Sequence, residues 1–311
     1  MDLVHSWGVE LVQHLQTKYS SYEGLFSLAS TVADLHTTFF FFFPIWFHLR
    51  RDTALRLIWV AVIGDWINLV LKWVLFGERP YWWVHDTHFY GARAAPLLQQ
   101  FPITCETGPV LHVVLWVIMG LMVLGVCMSR VYMAAHFPHQ VVAGIVTGVM
   151  VAEVMSKLKW IYSAGLRTYA FTTLLLTSFA VGFYLLLKAL GVDLLWTLAK
   201  AQRWCARAEW VHLDSTPFAS LLRNMGSLLG LGLGLHLPPL HGTAVAFKAG
   251  CVVVSLAFLR LLDAWTFSSE NLVAFYCLSF GKSAVALLIP TTFAPRALCW
   301  ISTRSTGSKN L

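Results

Sequence analysis

Long apolar runs, each of about 20 residues, recur along this chain. A helix of that length crosses the roughly 30 Å hydrocarbon core of a bilayer. The chain is 58% hydrophobic and only 12% charged, whereas a soluble domain has about 25% charged residues, so too few polar residues remain to coat a soluble fold. We therefore predict an all-α, polytopic membrane bundle that forms one domain over residues 1–311. The predicted spans, about eight, are 25–48, 55–76, 110–128, 140–156, 168–188, 218–236, 246–262 and 271–292.

Proline and glycine residues lie inside several of these runs. Pro44 and Pro290 are expected to kink or end their helices, because proline lacks the backbone N–H that continues a helix. Gly230, Gly232 and Gly234 fall within one span, where small residues allow close helix packing.

Basic residues predominate in the short connections. Lys and Arg number 22 against 15 Asp and Glu, a net charge of +7. Their position between apolar runs is typical of cytoplasmic loops and does not indicate a nucleic-acid partner. Two longer segments, 77–109 and 189–217, contain proline, tryptophan and mixed charge, and we predict both as lumenal loops.

In the middle of the chain, the orientation predicted from Lys and Arg in the loops disagrees with the number of predicted spans. Arg50, Arg51 and Arg56 place the loop after the first span in the cytoplasm. The loop that contains Lys157 and Lys159 is also basic, yet three predicted spans separate the two loops. An odd number of crossings would put them on opposite faces, so one crossing is missing or one run does not cross.

Lys72 and Arg79 are the first candidate binding residues. They lie seven residues apart at the end of the second predicted span. Seven residues are two helical turns, which would place both cations on one helix face, and Pro80 is expected to end that helix. An ammonium beside a forked guanidinium suits phosphate oxygens. The pair taken alone also fits two interface residues whose charged ends reach the headgroups.

A second group is Ser129-Arg130 followed, after five residues, by His136. It adds one cation and one imidazole at the start of the span 140–156. In phosphoryl transfer an imidazole can attack phosphorus while cations hold the equatorial oxygens. The two groups together therefore indicate phosphate chemistry, although a single histidine at a membrane edge is usually structural.

These spacings match the motifs KxxxxxxRP and SRxxxxxH, so the chain resembles the phosphatidic acid phosphatase superfamily. The flanking runs WVAVIGDWINLVLKW, TCETGP and AAHFPHQVVAG are similar to the glucose-6-phosphatase catalytic subunit family within it. Gln140, where the wider superfamily usually has Asp, is also typical of this branch. The resemblance covers nearly the whole chain.

The resemblance implies nine spans in the endoplasmic reticulum membrane and hydrolysis of glucose 6-phosphate to glucose and phosphate in the lumen. His136 would be the nucleophile that forms a phosphohistidine, and the phosphate would be held by Lys72, Arg79 and Arg130. No metal or other cofactor is implied, because cationic side chains supply the charge. The implied partners are glucose 6-phosphate, the lipid bilayer and a glucose-6-phosphate transporter.

One motif of the family is absent from this sequence. Between the two matched motifs the family carries PSGH, whose histidine protonates the leaving sugar oxygen, but here Pro109 runs directly into VLHVV. About one motif and one span are missing. A missing span would also explain why an odd number of predicted spans separates the two basic loops. Because a general acid contributes about 10²–10⁴-fold, we expect an impaired enzyme.

The general acid is consequently unassigned. His112, three residues after Pro109, is the remaining candidate. His85, His88 and His139 are interpreted as loop or interface histidines.

The rival hypothesis is a transporter or a non-catalytic membrane subunit. Ionisable residues within or at the ends of apolar spans are functional candidates in general. Against a transporter, the sequence shows no inverted repeat and no matching pair of broken spans. The residues that would form such a pathway are Asp34, Asp65, Glu153, Arg223 and Lys282.

Overall fold

A computed structural model describes residues 2–75, 79–87, 123–192, 196–204, 213–238, 245–267 and 271–307. Within these ranges the chain forms helices and no strand, which confirms the all-α prediction. The helices are α1 (Asp2–Lys18), α2 (Glu23–Val32), α3 (Leu35–Leu49), α4 (Arg51–Leu75), α5 (Pro80–Asp86), α6 (Val123–Tyr132), α7 (Pro138–Lys157), α8 (Leu166–Ala189), α9 (Trp196–Trp204), α10 (Pro217–His236), α11 (Val245–Asp263), α12 (Leu272–Leu288) and α13 (Ala294–Gly307).

Local sequence signals account for where several helices begin. Thr216 precedes α10, and its hydroxyl accepts a hydrogen bond from the Ala219 N–H, while Pro217 occupies the first helical position. Asn271 caps α12 in the same way, since its Oδ1 accepts from the Ala274 N–H at 3.1 Å. Such caps satisfy N–H groups that have no partner inside the helix.

Six helices in the described residues are long and apolar enough to cross a membrane, so the chain is a multi-pass membrane protein. They lie at the predicted spans 55–76, 140–156, 168–188, 218–236, 246–262 and 271–292. Helices α2 and α3, at the predicted span 25–48, would make a seventh, with a bend of 54° between them. Of the predicted span 110–128, only the part from Val123 lies within the described residues.

Neither proline ends its helix, which corrects that half of the expectation, and the expected kinks stay a prediction. The α2–α3 break falls at Ala33 and Asp34, not at Pro44, and helix continues on both sides of Pro44 and Pro290. A five-residue π-helical turn stands just before Pro44 and another contains Pro290. Such a turn shifts the hydrogen-bond register, which accommodates a residue that cannot donate.

By internal contacts the chain divides into two units. The first comprises Met1–Thr37, Lys72–Val149 and Leu195–His212, and the second comprises the rest. The single domain over residues 1–311 stays a prediction.

The core of the first unit joins three elements that are distant in sequence. Apolar residues of α1, the three central residues of α5 and the segment from Val131 to Phe137 form one buried cluster. The α5 and α9 helices lie inside the predicted loops 77–109 and 189–217. Both loops therefore contain folded structure in their described parts.

The second unit is built around α10, which packs against α8 and α12. A Cβ on Gly226 would lie 2.2 Å from the Phe280 carbonyl oxygen, and one on Gly230 would lie 2.2 Å from the Ala284 carbonyl oxygen. The backbones of α10 and α12 approach too closely for any side chain at these positions. The predicted close packing of this glycine-rich span is thereby confirmed.

Candidate active site

The segment 130–136, here called the 130–136 turn, carries two of the predicted site residues. Helix α6 ends here in a Schellman motif, in which the Ala134 N–H donates to the Val131 carbonyl and the Ala135 N–H donates to the Arg130 carbonyl. Ala134 takes the left-handed conformation that this motif requires, with φ of 54°. Helix α6 thus ends two residues after Arg130.

The same turn ties His136 to Arg130. The His136 N–H donates to the Arg130 carbonyl oxygen at 3.2 Å, and the Ala135 N–H donates to that oxygen at 3.1 Å. Both residues are half-buried. A spacing of six residues therefore becomes direct backbone contact between the candidate nucleophile and one candidate phosphate-binding residue.

Helix α7 begins directly after His136. Phe137 is its cap residue, Pro138 takes the first helical position, and the Gln140 Oε1 accepts from the Phe137 N–H at 3.0 Å. This contact is half of a capping box, in which a side chain three positions into the helix returns to the cap N–H. Gln140 thus stabilises the backbone on the far side of His136.

Ser129 fixes the other end of the turn. It is fully buried, and its hydroxyl donates to the Phe26 carbonyl oxygen on α2 at 2.6 Å. The serine of the Ser129-Arg130 pair therefore acts as a structural anchor, and Arg130 is the member of the pair left to bind a ligand.

Arg79 does not lie on the helix that contains Lys72, which corrects the predicted arrangement. It is the cap residue of α5, with extended backbone angles of φ −113° and ψ 143°, and Pro80 starts α5 where it was expected to end a helix. A residue before proline avoids helical angles, and proline suits the first position of a helix. The guanidinium carbon lies 5.1 Å from the centre of the Trp82 ring.

Lys72 lies in the last turn of α4, and its side chain falls outside the described residues, as do His88, Pro109 and His112. The structure does bring the surroundings of Arg79 and of the 130–136 turn together, because α5 and that turn share one buried cluster. The full set of Lys72, Arg79, Arg130 and His136 stays a prediction.

The other histidines near the site have aromatic neighbours. His85 stacks on Trp204 with ring centres 5.0 Å apart, and His139 stacks on Phe137 at 5.6 Å. These contacts support the interpretation of both as structural histidines.

A charged contact that the sequence did not predict links the helices inside the segments 77–109 and 189–217. Asp86 at the end of α5 accepts from Lys200 at 2.7 Å and from the Trp204 Nε1 at 2.8 Å, both on α9. Burial raises the pKa of the Asp86 carboxyl, but these two hydrogen bonds and the charges of Lys200 and Arg203 outweigh it and hold the pKa below its usual value. The only sequence signal for the contact is charge of both signs within short loop helices.

Two of the ionisable residues proposed for a solute pathway lie against helix ends. Lys282 donates to the Asp263 carbonyl at 3.1 Å and to the Trp265 carbonyl at 2.8 Å, at the end of α11, where unpaired carbonyls attract a cation. Arg223 forms an ion pair with Asp214. Each contact has a structural explanation.

The acidic members of that set also have partners. The Asp65 carboxylate accepts from Ser220 and Asn224 on α10. Glu153 pairs with Lys157 one turn later at 2.9 Å. The Asp34 Oδ1 accepts from the His36 N–H at the break between α2 and α3. These contacts favour helix packing and capping over a solute pathway.

Among the described residues, no group of three or more His, Cys, Asp or Glu side chains could hold a metal ion. The candidate site is instead cationic and imidazole-containing in its described part. Such a site suits a phosphate group.

Known proteins resemble this chain over its full length. It is 65% identical to "Glucose-6-phosphatase catalytic subunit 1" of Haplochromis nubilus, with 100% of both chains covered, and 47% identical to the protein of that name from Felis catus, with 96% of each covered. "Glucose-6-phosphatase 2" of Mus musculus is 38% identical, with 95% of this chain and 96% of the relative covered. No protein-family model matches the chain, and no solved structure matches it.

The alignment with the Haplochromis nubilus relative is longer than the chain itself. It spans 352 positions and includes all 311 residues, so 41 positions have no residue of this chain opposite them.

Proposed function

Because the chain belongs to the glucose-6-phosphatase catalytic subunit family, we propose that its site is built to hydrolyse glucose 6-phosphate through a phosphohistidine on His136. The main support for the proposal is the 130–136 turn, in which the His136 N–H donates to the Arg130 carbonyl oxygen. A nucleophile and a phosphate-binding cation on one short turn keep their relative positions when a substrate arrives, which lowers the entropic cost of reaction.

In the proposed reaction the His136 imidazole attacks phosphorus, and the bond from phosphorus to the sugar oxygen breaks. Arg130, Arg79 and Lys72 hold the non-bridging oxygens, whose charge redistributes in the transition state. The leaving sugar oxygen takes a proton from a general acid and departs as glucose. Water then attacks the phosphohistidine, releases phosphate and restores the free imidazole.

We further propose that this chain turns over slowly, because the acid for the leaving oxygen is missing. The sequence contains no PSGH. The 41 alignment positions without a residue of this chain are enough, if contiguous, for that motif and one helical crossing of about 20 residues. Removal of a general acid lowers the rate by about 10²–10⁴-fold.

The proposed location is the endoplasmic reticulum membrane with the site open to the lumen, as the family name and the positive-inside rule suggest. Glucose 6-phosphate is anionic and does not cross hydrocarbon unaided, so a lumenal site requires a glucose-6-phosphate transporter as a partner. A transporter role for the chain itself is not favoured, because the ionisable residues of its spans have local structural partners.

The test is equilibrium binding of inorganic phosphate to the detergent-solubilised chain. Phosphate binding needs the cations but not the missing acid. Arg79→Ala and Arg130→Ala should each weaken it by about tenfold or more, the loss expected for a charge-assisted hydrogen bond. Arg167→Ala, on the exposed first turn of α8, is the matched control and should have no effect. Equal binding by all variants would refute the assignment of the cations.

Turnover provides the second test. A chimera inserts, between Pro109 and Val110, the segment of the Haplochromis nubilus relative that has no counterpart here. It should hydrolyse glucose 6-phosphate at least a hundredfold faster than the chain itself, and His136→Ala in the chimera should abolish the gain. An activated ester, whose leaving group needs no proton, should show a smaller difference. Full activity of the unmodified chain would show that another residue supplies the acid.

A further inference from the structure

A side chain from the N-terminal helix contacts the 130–136 turn directly. The Gln16 side-chain amide donates to the Tyr132 carbonyl oxygen at 2.7 Å across 116 residues of sequence. Gln16 is only 6% exposed. Tyr132 is the last residue of α6, where the carbonyl groups no longer have helical partners. Gln16 therefore supplies the hydrogen bond that a continued helix would have made.

A second contact covers the end of the same turn. A Cβ on Gly8 would lie 2.6 Å from the Phe137 ring, so the bare backbone of α1 is the surface on which that ring rests. The His5 ring packs against Phe137 with centres 4.3 Å apart and against Trp83 of α5 at 5.2 Å. One face of α1 thus touches the residue that follows His136 and the helix that follows Arg79.

We infer that α1 positions the site and that Gln16 is the positioning residue through which it holds the 130–136 turn, an inference that rests on the function proposed for that turn. Gln16 does not touch the reacting groups. It fixes the Tyr132 carbonyl, which lies two residues after Arg130 and four before His136. The directions in which these two side chains point then depend on a helix more than 100 residues away.

The chemistry of glutamine makes this role specific. A buried carbonyl oxygen without a donor is costly, so the turn would rearrange to recover a partner if Gln16 were lost. The turn also contains Ala134 in a left-handed conformation, which is unfavourable for a residue with a Cβ and persists only when its surroundings enforce it. Gln16 is one of the contacts that enforce it.

The experiment compares Gln16→Glu with Gln202→Glu, the same exchange at an exposed position of α9, and measures inorganic phosphate binding by the detergent-solubilised full chain at pH 7.5 and pH 5.5. An ionised carboxylate cannot donate to the Tyr132 carbonyl, whereas a protonated one can. Gln16→Glu should therefore raise the Kd about tenfold over the unsubstituted protein at pH 7.5 and less than about threefold at pH 5.5. Gln202→Glu should match the unsubstituted protein at both pH values.

Amide hydrogen exchange over residues 130–136 is the second measurement, and it needs no ligand. Gln16→Glu should speed exchange of the Ala135 and His136 amides about tenfold at pH 7.5. Gln16→Met, which lacks a donor but adds no charge, provides the same test if the carboxylate prevents folding.

A Gln16 variant that lowers the thermal midpoint yet leaves both the phosphate Kd and the exchange of the turn unchanged would overturn the inference, because the contact would then be merely structural. If the unsubstituted protein does not bind phosphate, the proposed function fails. The exchange rates then decide the inference alone, with unchanged rates overturning it and faster rates in the Gln16 variants supporting it.

Discussion

The left-handed backbone of Ala134 shapes the candidate site at a cost in stability. Its φ of 54° lies in the left-handed region, which costs a residue with a Cβ about 1–2 kcal/mol. The conformation is needed because it lets both the Ala135 and the His136 N–H reach the Arg130 carbonyl. Backbone strain of this kind is concentrated at functional sites.

Ala134→Gly and Ala135→Gly each remove a buried methyl group from the turn, which costs stability, but only at position 134 does glycine also relieve a left-handed backbone. Ala134→Gly should therefore leave the protein about 1 kcal/mol more stable than Ala135→Gly does. The measurement is the thermal midpoint of each detergent-solubilised variant. Equal midpoints for the two variants would show that φ at position 134 does not limit stability.

At the scale of single elements, the second unit depends on the close approach of α10 and α12. Gly226 and Gly230 lie one turn apart on α10 and both face carbonyl oxygens of α12. In a membrane the interior of a helix bundle gains little from the hydrophobic effect, so van der Waals contact at short distance supplies much of the association energy. The glycines are the residues that permit this distance.

Gly230→Ala should destabilise the protein by about 2 kcal/mol, since its methyl group would lie 2.2 Å from the Ala284 carbonyl oxygen. Gly182→Ala on α8 has no neighbouring atom within 4 Å, so the better helix propensity of alanine should make it neutral or stabilising. Thermal midpoints measured side by side test the opposite signs. Equal effects would mean that helix propensity, not packing, governs both positions.

The contact between α5 and α9 makes a prediction about pH. The folded-state pKa of Asp86 is lowered, so its stabilising effect is complete above the unfolded-state pKa of about 3.9 and disappears as the pH falls through the lower folded-state value. Asp86→Asn should therefore cost up to about 1 kcal/mol at pH 7, and the difference from the unsubstituted protein should shrink as the pH falls below about 3.9 and vanish once Asp86 is protonated in the folded protein. Lys200→Gln should behave alike. A cost that persists in acid would exclude the ion pair as its source.

For the whole molecule, the decisive quantity is the number of times the chain crosses the membrane between Arg79 and Arg130. The two residues can hold one phosphate only if both reach the same face. The run 110–128 is 19 residues long and nearly free of charge, which favours one crossing, whereas the basic Lys157 and Lys159 favour a cytoplasmic loop after α7. The proposed function requires that 110–128 enter and leave on one face.

Cysteine labelling from outside intact microsomes tests this topology. Thr87→Cys, His139→Cys and Lys159→Cys are made one at a time in a background without the six native cysteines. We expect positions 87 and 139 to be protected in the lumen and position 159 to be labelled. Labelling at 139 with protection at 159 would split the site across the membrane, and the phosphate test above should then fail.

Much of the architecture followed from the amino-acid sequence because membrane spans are determined locally. A helix in hydrocarbon must satisfy its own backbone and needs only length and apolar side chains, so α7, α8, α10 and α11 begin and end within two residues of their predicted bounds. The close packing of α10 could likewise be predicted, because small residues within a membrane span allow another helix to approach closely. Motif spacing and family resemblance named His136 and the three cations as candidates.

Tertiary structure decided what spacing could not. The spacing of seven from Lys72 to Arg79 suggested one helix face, but Pro80 starts a new helix and Arg79 is extended. Proline disfavours helical angles in the residue that precedes it. Six residues from Arg130 to His136 became a closed turn because Ala134 adopts a left-handed angle. The support from Gln16 was invisible in the sequence, since a hydrogen bond across 116 residues exists only once α1 has packed on the core of the first unit.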